Sequence, residues 1–256
     1  MSAVVASRAT RTGLADLDWQ DLGTGLNETG CALIPKVLSP AECAALARHY
    51  DDDRRFRSRV IMARHGFGRG EYKYLAYPLP EVVQRLRAAL YPPLAVIANR
   101  WHEAMGNATR FPDTLDDFLA RCHRAGQKKP TPLLLRYGEG DYNCLHQDLY
   151  GEHVFPLQAT VLLSQPGDDF TGGEFVLTEQ RPRMQSRVEV VPLRQGDPVI
   201  FAVNHRPVRG ARGFYRVAMR HGVALAQRHD LRAALHARPL LRQHEFAAGE
   251  VLSRLR

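Results

Sequence analysis

The chain has 256 residues, 45% of them apolar and 24% charged, which allows one large domain or two small ones and a core that needs no staples. No apolar run approaches the ~18 residues of a membrane span. The opening MSAVVASRATRTGLADLDW lacks the order of a secretory leader, so a cytoplasmic protein with no membrane partner is expected. The net charge of +8 is uneven, with 15 Arg against 5 acids in residues 181–256. Such a sector can attract phosphates or other anions, although only 4 of the 35 basic residues are Lys, a bias that would put Arg on any surface. Cys31, Cys43, Cys122 and Cys144 form no C-x-x-C pair and read as reduced thiols, not as a disulfide frame or zinc site.

In chain order, residues 1–20 read as a loose arm, and 1–30 as the N-terminal arm of the domain plan. Ser39-Pro40-Ala41-Glu42 predicts a helix start, with Ser as N-cap, Pro at the first helical position and Glu closing a capping box. That helix should reach about Tyr50. Arg64-His65-Gly66-Phe67-Gly68-Arg69-Gly70 is a Gly-rich charged loop, either ordinary or able to close over a substrate with Tyr72 and Tyr74. A second helix should follow Pro80, break at Pro92-Pro93 and resume to about Met105. A third should run from Asp113 to Arg124, with Gly126 just past its end. Residues 31–130 are thus expected to be a helical flanking region.

The texture changes near residue 130. Short apolar or alternating runs at 133–137, 155–163, 174–178, 187–191, 199–203 and 214–223 are separated by turn residues. They predict a β-sandwich or barrel, and helices followed by strands make the class α+β. Residues 31–231 are expected to be a single domain, with its β-core at 131–231 and a divergent tail at 232–256. The Ala- and Arg-rich stretch 232–238 reads as helix more than strand.

The chemistry centres on Leu145-His146-Gln147-Asp148. In an extended segment residues i and i+2 share a face, so His146 and Asp148 can present an imidazole and a carboxylate to one ion. A second His would complete a facial triad that leaves three positions open on a non-haem Fe(II), as an oxygenase requires. His221 follows one candidate strand and His205 another. H-x-D alone is common by chance; a solvated surface loop is its plain alternative.

These residues sit in longer patterns. Tyr137-Gly138-Glu139-Gly140 through Leu145-His146-Gln147-Asp148 is similar to the metal-motif segment of AlkB-type nucleic-acid dealkylases and to the Y-G-x-G…H-x-D segment of prolyl 4-hydroxylases. Thr171-Gly172-Gly173-Glu174-Phe175 resembles the G-G-x hairpin of the hydroxylases, and Gly196-Asp197-Pro198-Val199-Ile200-Phe201 the G-D-apolar strand of both. Over about residues 28–224 the chain resembles an uncharacterised bacterial family of Fe(II)/2-oxoglutarate-dependent dioxygenases proposed to act on alkylated DNA, some members being labelled prolyl hydroxylases.

The resemblance implies a double-stranded β-helix (jelly-roll, cupin-like) core with N-terminal flanking helices. It implies Fe(II) held by His146, Asp148 and His221, the last as the start of an H-x-V strand. 2-Oxoglutarate would be the co-substrate beside O₂, its far carboxylate on Arg228 and Tyr137. His205 with Arg212 or Arg216 is the rival set. Arg228 lies about three residues nearer to His221 than in the family pattern. Gln147, Arg64, Tyr72 and Arg183 are candidate substrate contacts, and Arg181, Arg183 and Arg187 either line the mouth or form a solvated hairpin. Three functions stay open: oxidative dealkylation of damaged nucleic acid, presented as a single strand or flipped base; hydroxylation of a protein side chain or metabolite; and a catalytically inactive jelly-roll binding protein.

Overall fold

The structure is a computed structural model that describes residues 14–149, 153–227 and 231–237. Its helices are α1 (Trp19–Thr29), α2 (Pro40–Arg48), α3 (Glu81–Ala104) and α4 (Leu115–Arg124). Its strands are β1 (Cys31–Leu33), β2 (Phe56–Ile61), β3 (Gly68–Arg69), β4 (Glu71–Leu75), β5 (Leu133–Tyr137), β6 (Tyr142–His146), β7 (Leu157–Leu162), β8 (Phe175–Gln180), β9 (Arg187–Val191), β10 (Pro198–Ala202), β11 (His205–Gly210), β12 (Gly213–Val223) and β13 (Leu231–Ala237). They form a major sheet, β1-β10-β7-β13-β5-β4-β2, and a minor sheet, β3-β6-β12-β8-β9, with β11 paired to β12. From β5 onward the chain shuttles between the sheets, placing β10-β7-β13-β5 opposite β6-β12-β8-β9. This is the double-stranded β-helix that the motifs implied.

The centre of the major sheet is covered on both faces, so β7 and β10 are buried along their whole length. On β7, Leu157 and Ala159 join the α3 residues Leu90, Leu94 and Trp101, and Val161 joins Val83 and Leu86. The other face of β7, with Gln158, Thr160 and Leu162, looks toward the minor sheet. Between the sheets lies a core of Cys31, Leu33, Phe175, Leu177, Val191, Val199 and Phe201. Among the described residues no helix is long and apolar enough to cross a membrane.

Four expectations need correction. Residues 19–29, assigned to the arm, are helix α1. Asp18 caps it by accepting from the Gln20 and Asp21 amides, and Leu22 and Leu26 are fully buried. Gly23, Gly25 and Asn27 are poor helix formers and hide it in the sequence; its tertiary contacts stabilise it. The α3 helix is not broken at Pro92-Pro93. The carbonyls the prolines leave unbonded, on Ala88 and Ala89, lie on the water side, and Pro92 itself is exposed. Two interior prolines cost about 6 kcal/mol. Val83, Leu86, Leu90, Leu94, Ile97 and Trp101 are buried along the same helix, at about 1.5–3 kcal/mol each, and outweigh that cost.

The flanking region also holds β1 to β4, which extend both sheets, so it is not wholly helical. Finally, residues 231–237 form β13, not helix, and the boundary expected at 231 cuts through this strand. It fills the slot between β5 and β7 and pairs with both. Unpaired ladders on two sides outweigh the small helix preference of Ala and Arg. The Ser39 capping box stands as expected, with Glu42 accepting from the Ser39 amide at 2.9 Å.

Candidate metal centre

The centre is built where β6 meets β12. His146, the last residue of β6, pairs directly with His221 of β12, and His221 in turn pairs with Leu177 of β8. The imidazole centroids lie 4.2 Å apart. Asp148 follows two residues on, and its carboxylate reaches both rings: Oδ1 is 3.6 Å from His146 Nε2, and Oδ2 is 3.2 Å from His221 Nε2. One ligand atom from each of the three lies within 4.8 Å of the others, close enough for one ion.

Local bonds fix this geometry. The carbonyl of Cys144 lies 2.8 Å from His146 Nδ1, which places the proton there and leaves the Nε2 lone pair for a ligand bond. The Gln147 amide donates to the carbonyls of Met219 (2.8 Å) and Asn204 (3.1 Å), tying the segment to β12. Burial is graded: the His221 and Asp148 side chains are 1% and 3% exposed, that of His146 30%. Phe201 packs 4.7 Å from the His221 ring. The cluster therefore lies against an apolar wall and opens on the His146 side. A carboxylate this deep is costly unless a charge compensates it, and a divalent cation does so.

A second set of polar atoms faces the same interior. The hydroxyls of Tyr137 and Thr160 are buried and, among the described residues, have no hydrogen-bond partner. Asn143 is close enough to temper the upward pull of burial on the Tyr137 phenol, but it does not reach hydrogen-bonding geometry. Tyr137 shares its cluster with Leu135, Leu162 and Phe170. Thr160 was not singled out in the sequence. Its signal is the run Leu157-Gln158-Ala159-Thr160, where polar residues interrupt an apolar strand at alternate positions.

The other expected residues scatter. His205, on β11 opposite Ala218, is outside the cluster, and burial holds its pKa down. Arg216 donates to the Met105 carbonyl and Asn107 Oδ1, both at 2.9 Å, and Arg212 is an exposed turn residue. Arg228 lies outside the described residues. Arg64 is exposed on the turn Met62–His65. The loop after it is clipped to β6 by a Cys144 amide bond to the Phe67 carbonyl (2.9 Å). Gly68 makes that approach possible, since a Cβ there would stand 2.3 Å from the Tyr142 carbonyl oxygen. Tyr72 is half-buried on β4, edge-on to Tyr74. Arg183 is exposed at the β8–β9 turn, with φ +62°. Arg181 and Arg187 pair with the buried Glu179, which also binds the buried Arg206.

Residues 70–237 match the model of the family Oxygenase-NA, described as an oxygenase catalysing oxidative methylation of damaged DNA. The chain belongs to this family. The uncharacterized protein Rv2227 of Mycobacterium tuberculosis H37Rv is 52% identical over 147 residues, which are 57% of this chain and 63% of that protein. Its counterpart in strain CDC 1551 / Oshkosh, MT2286, gives the same figures. The aligned part thus spans 63% of the length of these curated relatives. Among solved structures, a Pseudomonas putida prolyl-4-hydroxylase superposes with a TM-score of 0.52 at 14% identity, covering 88% of this chain and 100% of that one. The non-heme alpha ketoglutarate dependent epimerase SnoN of nogalamycin biosynthesis gives 0.50 at 16% identity, covering 85% and 80%. At these identities the likeness is one of fold, and it places this Oxygenase-NA chain on the jelly-roll scaffold of both.

Proposed function

We propose that this protein is an Fe(II)/2-oxoglutarate-dependent dioxygenase that oxidatively dealkylates damaged nucleic acid. The observation that carries the reading is the convergence of His146, Asp148 and His221 on the inner wall of a jelly-roll in an Oxygenase-NA chain. The donor set fits ferrous iron: two imidazoles and one carboxylate leave coordination positions for a keto acid and O₂. When bound, iron and 2-oxoglutarate supply oxidation of a substrate C–H bond, coupled to conversion of 2-oxoglutarate and O₂ into succinate and CO₂.

The chain's own residues do the rest. Asp148 supplies the negative charge of the site. Cys144 and Gln147 orient His146 and the turn to Asp148. Phe201 and Leu177 keep water from the buried side, where it would quench the oxidant. Tyr137 and Thr160 offer hydroxyls to 2-oxoglutarate, and Arg228 is the proposed partner of its far carboxylate, through a bidentate guanidinium. A cytoplasmic setting belongs to the same reading, since none of the four thiols is in a disulfide.

The test is incubation with Fe(II), 2-oxoglutarate and an N-methylated single-stranded oligonucleotide, followed by mass spectrometry. Loss of a methyl group with equimolar succinate and formaldehyde supports the reading. Iron-dependent succinate with no change to any oligonucleotide, but with hydroxylation of a peptide or metabolite panel, would move the activity to side-chain or metabolite hydroxylation.

A further inference from the structure

We propose that the hairpins β8–β9 and β11–β12 together hold the phosphodiester backbone of a single DNA strand whose damaged base enters the metal centre. This rests on the nucleic-acid reading above and names the surface that would serve it.

The two hairpins share one end of the minor sheet. The pairing of β8 with β12 ends at Gln180 opposite Ala218. The first five residues of β12, from Gly213, therefore run on beside the β8–β9 turn, and Arg181 lies within electrostatic reach of Tyr215. The centre opens toward the same end. The Gln147 amide binds the carbonyls of Asn204 and Met219, which flank the base of the β11–β12 hairpin. His146, the member of the cluster that meets solvent, immediately precedes it.

The charge there has one sign. Residues 180–188 and 205–220 contain eight Arg and no Asp or Glu. The neighbouring carboxylate, Glu179, is buried and takes Arg181, Arg187 and Arg206. Arg216 is held by Met105 and Asn107. Arg183, Arg209 and Arg212 remain exposed, and no ion pair engages them among the described residues. Phe214 is 55% exposed and is the direct cross-strand partner of Arg209, so ring and guanidinium stem share one face of the hairpin. Free arginines around an exposed aromatic ring match a single strand, which presents phosphates for charge and bases for stacking. Phe214 is seven residues from His221, at most ~24 Å along a strand, so the contacts would fall on nucleotides flanking the one at the centre.

The experiment uses the full chain, a labelled single-stranded DNA oligonucleotide with and without an N-methylated base, and 50–200 mM salt. The variants are the triple Arg183→Ala/Arg209→Ala/Arg212→Ala and Phe214→Ala. The triple variant is expected to bind about tenfold more weakly or worse, and to lower the slope of log affinity against log salt by about 2, since each phosphate contact on a single strand contributes about 0.7. Phe214→Ala is expected to weaken binding with the slope unchanged. Succinate formation without DNA should equal that of the wild type in both variants, which shows an intact centre. If the wild type binds and dealkylates the oligonucleotide and the triple variant does so equally well, this surface is wrong and the function stands. If the wild type forms succinate but neither binds nor alters any oligonucleotide, the surface and the nucleic-acid reading fall together.

Discussion

His146 and His221 are direct cross-strand partners on β6 and β12, 75 residues apart in sequence and 4.2 Å apart ring to ring. The pairing register alone brings them to one face, and Asp148 closes the cluster from the turn that follows. A register slip of one residue would send the His221 ring to the outer face of the sheet, so sheet and site are specified together.

Metal binding should depend on all three side chains. With Mn(II) as a stand-in for iron, the wild-type melting temperature should rise; at a hundred times the Kd the gain is about 2.7 kcal/mol. His221→Ala and Asp148→Ala should show no such rise, while His205→Ala should keep it. A rise lost in His205→Ala and kept in His221→Ala would reverse the assignment.

Removing the carboxylate charge should have a second effect. Asp148 is buried between two rings, so Asp148→Asn should leave the metal-free protein as stable as wild type or more so, while abolishing stabilisation by Mn(II). Thermal unfolding with and without a chelator measures both. Clear destabilisation of the metal-free variant would mean that Asp148 is mainly a structural ion-pair partner.

The hydroxyls of Tyr137 and Thr160 predict a split between stability and kinetics. Since neither has a partner among the described residues, Tyr137→Phe and Thr160→Val should cost little stability. Each should raise the KM for 2-oxoglutarate about 2- to 13-fold, the equivalent of about 0.5–1.5 kcal/mol for one hydrogen bond, and leave Mn(II) affinity unchanged. A large loss of stability with an unchanged KM would make them core residues only.

The sequence pattern pointed to the three side chains that cluster here better than to the frame around them. His146 and Asp148 were legible because period-two spacing puts both on one face, and His221 because of its H-x-V context. Helix α1 was hidden by its glycines, and β13 by an Ala- and Arg-rich composition that only the gap between β5 and β7 overrides. Thr160 escaped notice because a threonine in an apolar strand is unremarkable until its hydroxyl is found without a partner. The Gly196-Asp197 pair was legible as a motif, but its role is in the fold: the buried Asp197 carboxylate accepts from the Lys36 and Arg194 amides and fixes the turn before β10.

The buried Glu179–Arg206 pair should make stability depend on pH. Burial alone would raise the Glu179 carboxyl, but hydrogen bonds from Arg206 and Arg181 outweigh it, and the net displacement is below the usual carboxylate range. A depressed folded pKa adds stability that is fully present above the unfolded carboxyl pKa and is lost as pH falls through the folded one. Glu179→Gln should therefore cost about 3–5 kcal/mol at pH 7, the penalty for stranding a buried guanidinium. The difference from wild type should shrink below about pH 4. Urea unfolding at both pH values checks it; a difference independent of pH would show that packing, not charge, is at stake.

The most direct measurement of the central claim is succinate formed from 2-oxoglutarate under air, with and without Fe(II), by wild type and Asp148→Ala. The account predicts iron-dependent succinate from the wild type, matched one-to-one by O₂ consumed, and none above background from the variant. No iron-dependent succinate from the wild type, or equal amounts from both proteins, would contradict it.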